Sequence, residues 1–381
     1  MTQSYKSSII TDTRTTSDFR GCTFSKFKKI SALKELETSL LNSRIEQSCY
    51  WCAELVCSGH FIDLWDCLFM YYGKHIHSSN LNISIYLVFR LEKFKSIISE
   101  EYSENEIDIR NDERIRKLFS EIICILCDAS VQYTITFVKI KADEYNISAI
   151  SDKLKAPNIE YATQIMTPED PSELYIAVNE LAYCISYDAD HLNSRMAFFW
   201  IEWIHGYEII CKKQGNKKQG ACRIFAPVAS QRQNDIIWII WDIFINEIKI
   251  RSKKHKLSNI PNMQKVLDAF LDMFCVQYTQ VCFGRRKYIL YIVASMLCDK
   301  NVNLSKSIIT KAQKDDISRI SKNINAIYKQ IKTNENNKPT KTNTVDDGNE
   351  NCINIPMAER STDKMDLIAQ FEEDFTPRVQ S

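Results

Sequence analysis

The side chains best spaced to do chemistry are thiols and imidazoles. Cys49-x-x-Cys52, Cys57-x-x-His60 and His75-x-His77 set possible metal ligands two or three residues apart. Cys thiolate and neutral imidazole are zinc ligands, and such pairs can bite one ion. The surrounding sequence argues otherwise. CYWCAELVC (49–57) reads as one continuous helix. At about 100° per residue, Cys57 then lies roughly 80° around the axis from Cys49. Zinc knuckles place their CxxC in a turn with Gly or Lys, whereas this one encloses Tyr50 and Trp51. A second CxxC, Cys124 to Cys127, sits in the apolar run EIICILC with no His nearby in sequence. The expectation is reduced core cysteines and no metal, with a zinc site on Cys49, Cys52, Cys57 and His60 as the minor alternative.

Other catalytic signatures are missing. No GxxxxGK[ST], GxGxxG after a strand, HExxH or GxSxG occurs. Only 8 of 381 residues are Gly, too few to build a backbone cradle for phosphate easily. Glu202, Asp242 and Glu247 stand at helical spacing among aromatics and read as partnered structural groups. His205, between Trp203-Ile204 and Gly206, reads as an interior histidine. The chain is therefore expected to be no enzyme, with no catalytic residue and no cofactor.

Helical periodicity supplies the frame for these residues. In SKFKKISALKELETSLLNSRI, Ile30, Leu33, Leu36 and Leu40 recur at three and four, the stripe of an amphipathic helix. CYWCAELVC and HFIDLWDCLFMYYGKHI follow, parted by Ser58-Gly59 as a tight turn. ISIYLVFRLEKFKSII and DERIRKLFSEIICILCDAS continue the pattern. VQYTITFVKI (131–140) is rich in β-branched and aromatic residues but has no visible partner strand, so it is assigned to helix. Residues 148–170 read as a boundary, and SDKLKAPNIEYATQIMTPEDPSE (151–173) holds three of the eight prolines. Asp170-Pro171-Ser172-Glu173 has the form of a helix start with Asp170 as N-cap. Helices are expected over 194–213, 229–254, 262–278, 284–299 and 304–332. The stretch 212–227 reads as an exposed loop. Trp200-Ile201-Glu202-Trp203 and Trp238-Ile239-Ile240-Trp241 repeat one pattern and read as two core helices with Trp at i and i+3.

Composition narrows the class. A hydrophobic fraction of 45% excludes wholesale disorder, and 8 Gly and 8 Pro argue against a turn-dense β fold. The richest apolar run, IIWIIWDIFI (236–245), is far short of the roughly 20 residues a membrane span needs. The first twenty residues lack a secretory h-region and read as a polar arm, and buried reduced cysteines suit a reducing compartment. The expected location is intracellular, and not secreted.

Net charge is +1, but its distribution is uneven. Residues 1–204 carry 21 basic and 29 acidic side chains, residues 205–335 carry 23 and 10, and residues 336–381 carry 5 and 9. The basic third is clustered. Lys212, Lys213, Lys217, Lys218 and Arg223 fall together, then Lys249, Arg251, Lys253, Lys254 and Lys256, then Arg285, Arg286 and Lys287. Such density attracts nucleic acid or an acidic protein surface, including that of a second copy. After residue 335 the composition is that of a disordered tail. Within it Met365, Ile368, Phe371 and Phe375 are spaced as one face of a short helix among acids, a candidate partner-binding segment over 363–375.

Two resemblances accompany these patterns. Residues 37–87, ETSLLNSRIEQSCYWCAELVCSGHFIDLWDCLFMYYGKHIHSSNLNISIYL, resemble the helical collar of clamp-loader-type AAA+ proteins. The ATPase half of that family is absent, so the resemblance implies packing helices and no ATP hydrolysis. CYWCAELVCSGHFIDLWD, KLKAPNIEYATQIMTPEDPSELYIAVNELAY and DIIWIIWDIF resemble an uncharacterised family of helical proteins of large DNA viruses of eukaryotes, of the giant-virus type. That resemblance implies a viral origin, with host cytoplasm or nucleus, or a virion, as the location, and transfers no site.

The expected architecture is all-α, with two packed multi-helix domains as a bundle or irregular helical-hairpin array. The divisions are a disordered arm (1–20), an acidic helical domain (21–150), a linker (151–170), a basic helical domain (171–335) and a disordered tail (336–381). The expected function is that of a non-enzymatic viral structural or assembly protein working through protein–protein contacts. The alternative is an accessory nucleic-acid-binding protein of viral replication or genome packaging.

Overall fold

A computed structural model describes residues 3–102, 106–190, 192–216, 218–255, 257 and 259–335. The described chain is all-α; its one β feature is an isolated bridge between Cys22 and Lys28. It divides into two compact units. One takes the chain up to Leu68, Glu92–Asp128 and the stretch from Ile309. The other takes Phe69–Leu91 and Ala129–Ile308. Each unit is thus assembled from separated segments, unlike the sequential split at 151–170 expected from composition.

The first unit contains α1 (Gln3–Ser7), α2 (Lys29–Leu41), α3 (Ile45–Cys57), the start of α4 (Phe61–Tyr71), the end of α5 (Asn82–Glu101), α6 (Glu113–Asp128) and α12 (Lys311–Lys332). The Ser58-Gly59 turn forms as its sequence requires. Gly59 adopts a φ of +74°, and the amides of Gly59 and His60 return to the carbonyls of Val56 and Leu55. Trp65, Phe94 and Phe119 pack as an aromatic triad with centroids 5.5–5.8 Å apart. A capping box between Thr310 and Gln313 starts α12, later than the expected 304.

The arm expected to be disordered is packed over its described part. Tyr5, Ile10 and Phe19 are buried, and two buried arginines bind its carbonyls. Arg110 donates to Asp12 O (2.5 Å) and Cys57 O (3.3 Å). Arg116, fully buried, donates to Ser8 Oγ (2.6 Å), Ser8 O (3.2 Å), Arg110 O (2.8 Å) and Asn325 Oδ1 (2.9 Å), and lies over the Tyr328 ring. A polar composition hid an extended segment whose main-chain oxygens satisfy guanidinium groups.

The second unit contains the end of α4, the start of α5, α7 (Tyr175–Ile185), α8 (Ser194–Lys213), α9 (Ile237–Lys254), α10 (Ile260–Cys275) and α11 (Phe283–Cys298). Trp200, Trp203, Trp238 and Trp241 are all buried, as core helices with Trp at i and i+3 require. The indoles of Trp203 and Trp238 donate to Glu144 O and Arg232 O. A π-helical turn, Tyr72–Ile76, follows α4, and Gly73 there lets Tyr288 approach so closely that a Cβ would sit 2.8 Å from the tyrosine Cβ.

Residues 131–140 are not helical. They run as an irregular extended strap whose Gln132 and Ile135 amides donate to His75 O and Lys74 O. The carbonyls of a π turn give β-prone backbone partners outside any sheet, which sequence pattern could not reveal. Residues 151–170, expected to be a linker, pack on α7. Glu180 accepts from the amides of Lys155 and Ala156, and Asn179 brackets Asn158 and Ala162. Asp170 does not cap a helix. Its carboxylate is taken by Arg223, and the chain enters α7 through a 3-10 turn at Ser172–Leu174.

Candidate interaction surface

The basic clusters separate into side chains that point inward and side chains that stay on the surface. Arg223 is 5% exposed, Arg251 1% and Arg286 1%. They are therefore internal groups and not part of a basic face. Arg223 forms a two-pronged pair with Asp170 at 2.8 and 2.9 Å and reaches Asp242 at 3.1 Å. Burial alone would raise the Asp170 carboxyl, but the Arg223 bonds and the amides of Ala221 and Thr167 hold it below its ordinary value. Burial dominates at Asp242 and leaves its carboxyl raised. Arg251 pairs with Glu247 at 2.7 Å and donates to Ile185 O and Leu297 O. Arg286 donates to Phe274 O at 2.7 Å.

Several lysines carry their own acid. Lys218 pairs with Glu173 at 2.8 Å, Lys254 pairs with Asp188, and Lys287 pairs with Glu202 at 3.0 Å. Tyr291 donates to the same Glu202 oxygen and Lys287 lies over Phe137, 4.3 Å from the ring centroid. Beside this group His205 stacks on Phe283 with its Nδ1 buried and unbonded. Burial, with the Lys287 charge adding, lowers its imidazole to about 4.

Lys212, Lys213, Lys249, Lys253 and Arg285 are exposed. Lys217 and Lys256, and the tail residues Met365, Ile368, Phe371 and Phe375, lie outside the described residues. The end of α8 meets the turn before α11 through Gln280. That side chain accepts from Lys212 (3.4 Å) and donates to Glu208 (2.8 Å) and Asp235 (3.2 Å). Its neighbour Val281 is 86% exposed, and Ile209, next to Glu208, is 41% exposed. Val281 and Ile209 thus lie near the exposed Lys212, as two of several exposed apolar side chains that also include Ile30 and Ile224. Sequence reasoning missed Ile209 because it sits within a helical stretch whose periodicity reads equally well as core, and Val281 because it falls between the helices expected over 262–278 and 284–299.

The zinc candidates come together differently from their sequence spacing. Cys49 has Cys52 and the α6 thiols Cys124 and Cys127 for electrostatic neighbours, not Cys57 or His60. His60 is instead bonded through Nε2 to Cys22 O at 2.7 Å. Burial pushes the Cys49, Cys52 and Cys57 thiols up, and that of Cys127 up to about 12, which disfavours the thiolates a metal needs. Among the described residues no group of three or more His, Cys, Asp or Glu could hold a metal ion. His75 and His77 are buried and fasten the strap, His75 Nδ1 lying 3.1 Å from Thr134 Oγ1 and His77 Nε2 2.8 Å from Tyr133 O. No helix among the described residues is long and apolar enough to cross a membrane. No family model, curated protein or solved structure matches the chain, so its surface is read from its own residues.

Proposed function

We propose that this chain is a non-enzymatic structural or assembly protein, of the kind encoded by large DNA viruses, that works through protein–protein contacts. The observation that carries the reading is the fate of the basic clusters. Arg223, Arg251 and Arg286 spend their charge inside the fold, and Lys218, Lys254 and Lys287 are each matched by a carboxylate of the same unit. A protein built to follow a phosphate backbone gains affinity from many unpaired cations that release counterions. Here the exposed Lys212 and Lys213 follow exposed Ile209 on α8, and Lys212 reaches Gln280, the neighbour of exposed Val281. Cation and apolar contact together suit an acidic protein segment, which can bury side chains as well as match charge.

The alternative, an accessory nucleic-acid-binding role, keeps the exposed lysines at the ends of α8 and α9 in its favour. A salt series with the full chain separates the two. Fluorescence anisotropy with labelled duplex and single-stranded DNA should show binding no tighter than tens of micromolar at physiological salt. An acidic helical peptide with aliphatic and aromatic anchors should bind and should lose affinity when Val281 is replaced by Asp. Submicromolar DNA binding with a steep salt slope would overturn the protein-contact reading.

A further inference from the structure

We propose that Cys184 and Cys298 form a reversible disulfide by exchange with a small-molecule disulfide such as glutathione disulfide, stapling the end of α7 to the end of α11. Both residues close a helix of the second unit. Cys184 stands one position before the end of α7, and Cys298 is the last residue of α11. The Cys298 thiol donates to the Cys184 carbonyl oxygen at 3.4 Å. A carbonyl oxygen lies about 2.4 Å from its own Cα, so Sγ of Cys298 is within roughly 6 Å of the Cys184 Cα. The thiols also sense each other: burial pushes Cys184 up to about 12, and Cys298 adds to it. A disulfide needs Cα atoms about 4.4–6.8 Å apart, and the Arg251 guanidinium clamps the two chain ends together. Its Nη2 donates to Ile185 O at 2.8 Å and to Leu297 O at 2.5 Å, the carbonyls of the residues adjoining each cysteine. Those two oxygens are therefore no more than about 5 Å apart. Arg251 is itself fixed by Glu247 at 2.7 Å and is 1% exposed.

Accessibility singles out this pair. Cys49, Cys52, Cys124 and Cys127 are buried in the first unit, whereas Cys298 is half-buried and Asp299 and Lys300 after it are exposed. Cys184 is 3% exposed. The order of attack follows from that difference. The Cys298 thiolate attacks one sulfur of glutathione disulfide, whose S–S bond breaks as the Cys298–glutathione bond forms. One glutathione leaves as a thiolate and takes up a proton, replacing the one that Cys298 gave to water. The Cys184 thiolate then attacks Cys298 Sγ and displaces the second glutathione, which is protonated likewise. The protein loses two electrons and two protons, and one glutathione disulfide becomes two glutathiones. The staple closes a loop that contains α8, α9 and α10. Those helices carry the exposed Lys212, Lys213, Lys249 and Lys253, so oxidation stiffens the unit that presents them, whatever they bind. A mostly reduced glutathione pool keeps the pair as free thiols.

The test equilibrates the full chain in glutathione buffers of rising oxidised fraction, quenches in acid, alkylates free thiols and maps the peptides by mass spectrometry without reductant. The wild type should yield a peptide pair joined through Cys184 and Cys298. Cys184→Ala should stop at glutathione on Cys298, and Cys298→Ala should leave Cys184 a free thiol. Exchange runs through the thiolate, and burial holds the Cys298 thiol up at about 12 against the Arg251 charge. Its rate should therefore rise about tenfold per pH unit from 7 to 9. The oxidised wild type should melt on the order of 10 °C above the reduced, a difference that both variants should lack. Cys184 and Cys298 recovered as free thiols at every buffer ratio would overturn the proposal, as would a wild-type chain that stops at glutathione on Cys298. A joined pair that forms only in denaturant would overturn it too, because the fold would then not be what brings the thiols together. These wild-type maps decide the matter even where an alanine variant folds poorly.

Discussion

Replacing Arg223 by Met should unfold the second unit under milder conditions without changing what its surface binds. Met preserves much of the length and the apolar stem but removes the guanidinium. Three carboxylate bonds are lost, two to Asp170 and one to Asp242, together with those to Ile165 O and Ala221 O. Asp170, with a side chain 0% exposed, is left as a buried charge supported only by the amides of Thr167 and Ala221 and the Thr167 hydroxyl. Breaking a buried pair from one side costs about 3–5 kcal/mol. For a unit of this size each kcal/mol lowers the melting temperature by roughly 2–4 °C, so the drop should be on the order of 10 °C. Differential scanning calorimetry of the full chain measures it. Adding Asp170→Asn to Arg223→Met should recover part of the loss, because the stranded charge is gone. A melting temperature within a degree of the wild type, with weakened DNA binding, would refute the reasoning and return Arg223 to a polyanion footprint.

The other predictions concern buried positions in both units. His205 has a folded value near 4 and an unfolded value of about 6.5, so between those pH values the unfolded chain binds a proton that the folded chain refuses. Stability should therefore fall as pH drops from 6.5 to 4, by about 2–3 kcal/mol from this residue, and His205→Phe should flatten that part of a pH–melting profile; identical profiles would refute it. Gly73→Ala should destabilise by about 1–3 kcal/mol although alanine favours helix, because its Cβ would press on Tyr288; chemical denaturation showing stabilisation would contradict the packing. Arg116→Met should cost about 3 kcal/mol in the first unit and free the segment around Ser8, read as faster amide exchange there; slow exchange retained around Ser8 would count against a packed arm.

Helices were legible in this sequence because their causes are local. The stripe through Leu36 and Leu40, the Gly59 turn and the paired tryptophans each declare themselves within a dozen residues. What stayed hidden depends on partners far along the chain. Arg223 meets Asp170 across 53 positions, and Arg116 meets Ser8 across 108 and Asn325 across 209. No spacing rule connects such residues. The Asp170-Pro171 signal misled for the same reason: a residue well suited to cap a helix was already engaged by a distant guanidinium. VQYTITFVKI was misassigned because its backbone partners lie on a π turn, a geometry that sequence periodicity does not announce.

That division between local and distant causes bears on how charge is read from sequence. A run of cations counts every side chain equally, whereas a partner meets only those left at the surface. In the region 205–335 the guanidinium groups of Arg223, Arg251 and Arg286 are the inward ones, while exposed lysines terminate α8 and α9. The difference has a physical basis. A guanidinium is weakly hydrated and offers a planar fork of donors, so it tolerates burial among carbonyls and carboxylates; an ammonium is strongly hydrated and stays at the rim. Arg223, Arg251 and Arg286 are therefore the positions where a neutralising scan loses binding through loss of fold. Substitutions of Lys212, Lys213, Lys249 and Lys253 test the surface itself, and surface changes of that kind separate an acidic protein from a nucleic acid as its partner.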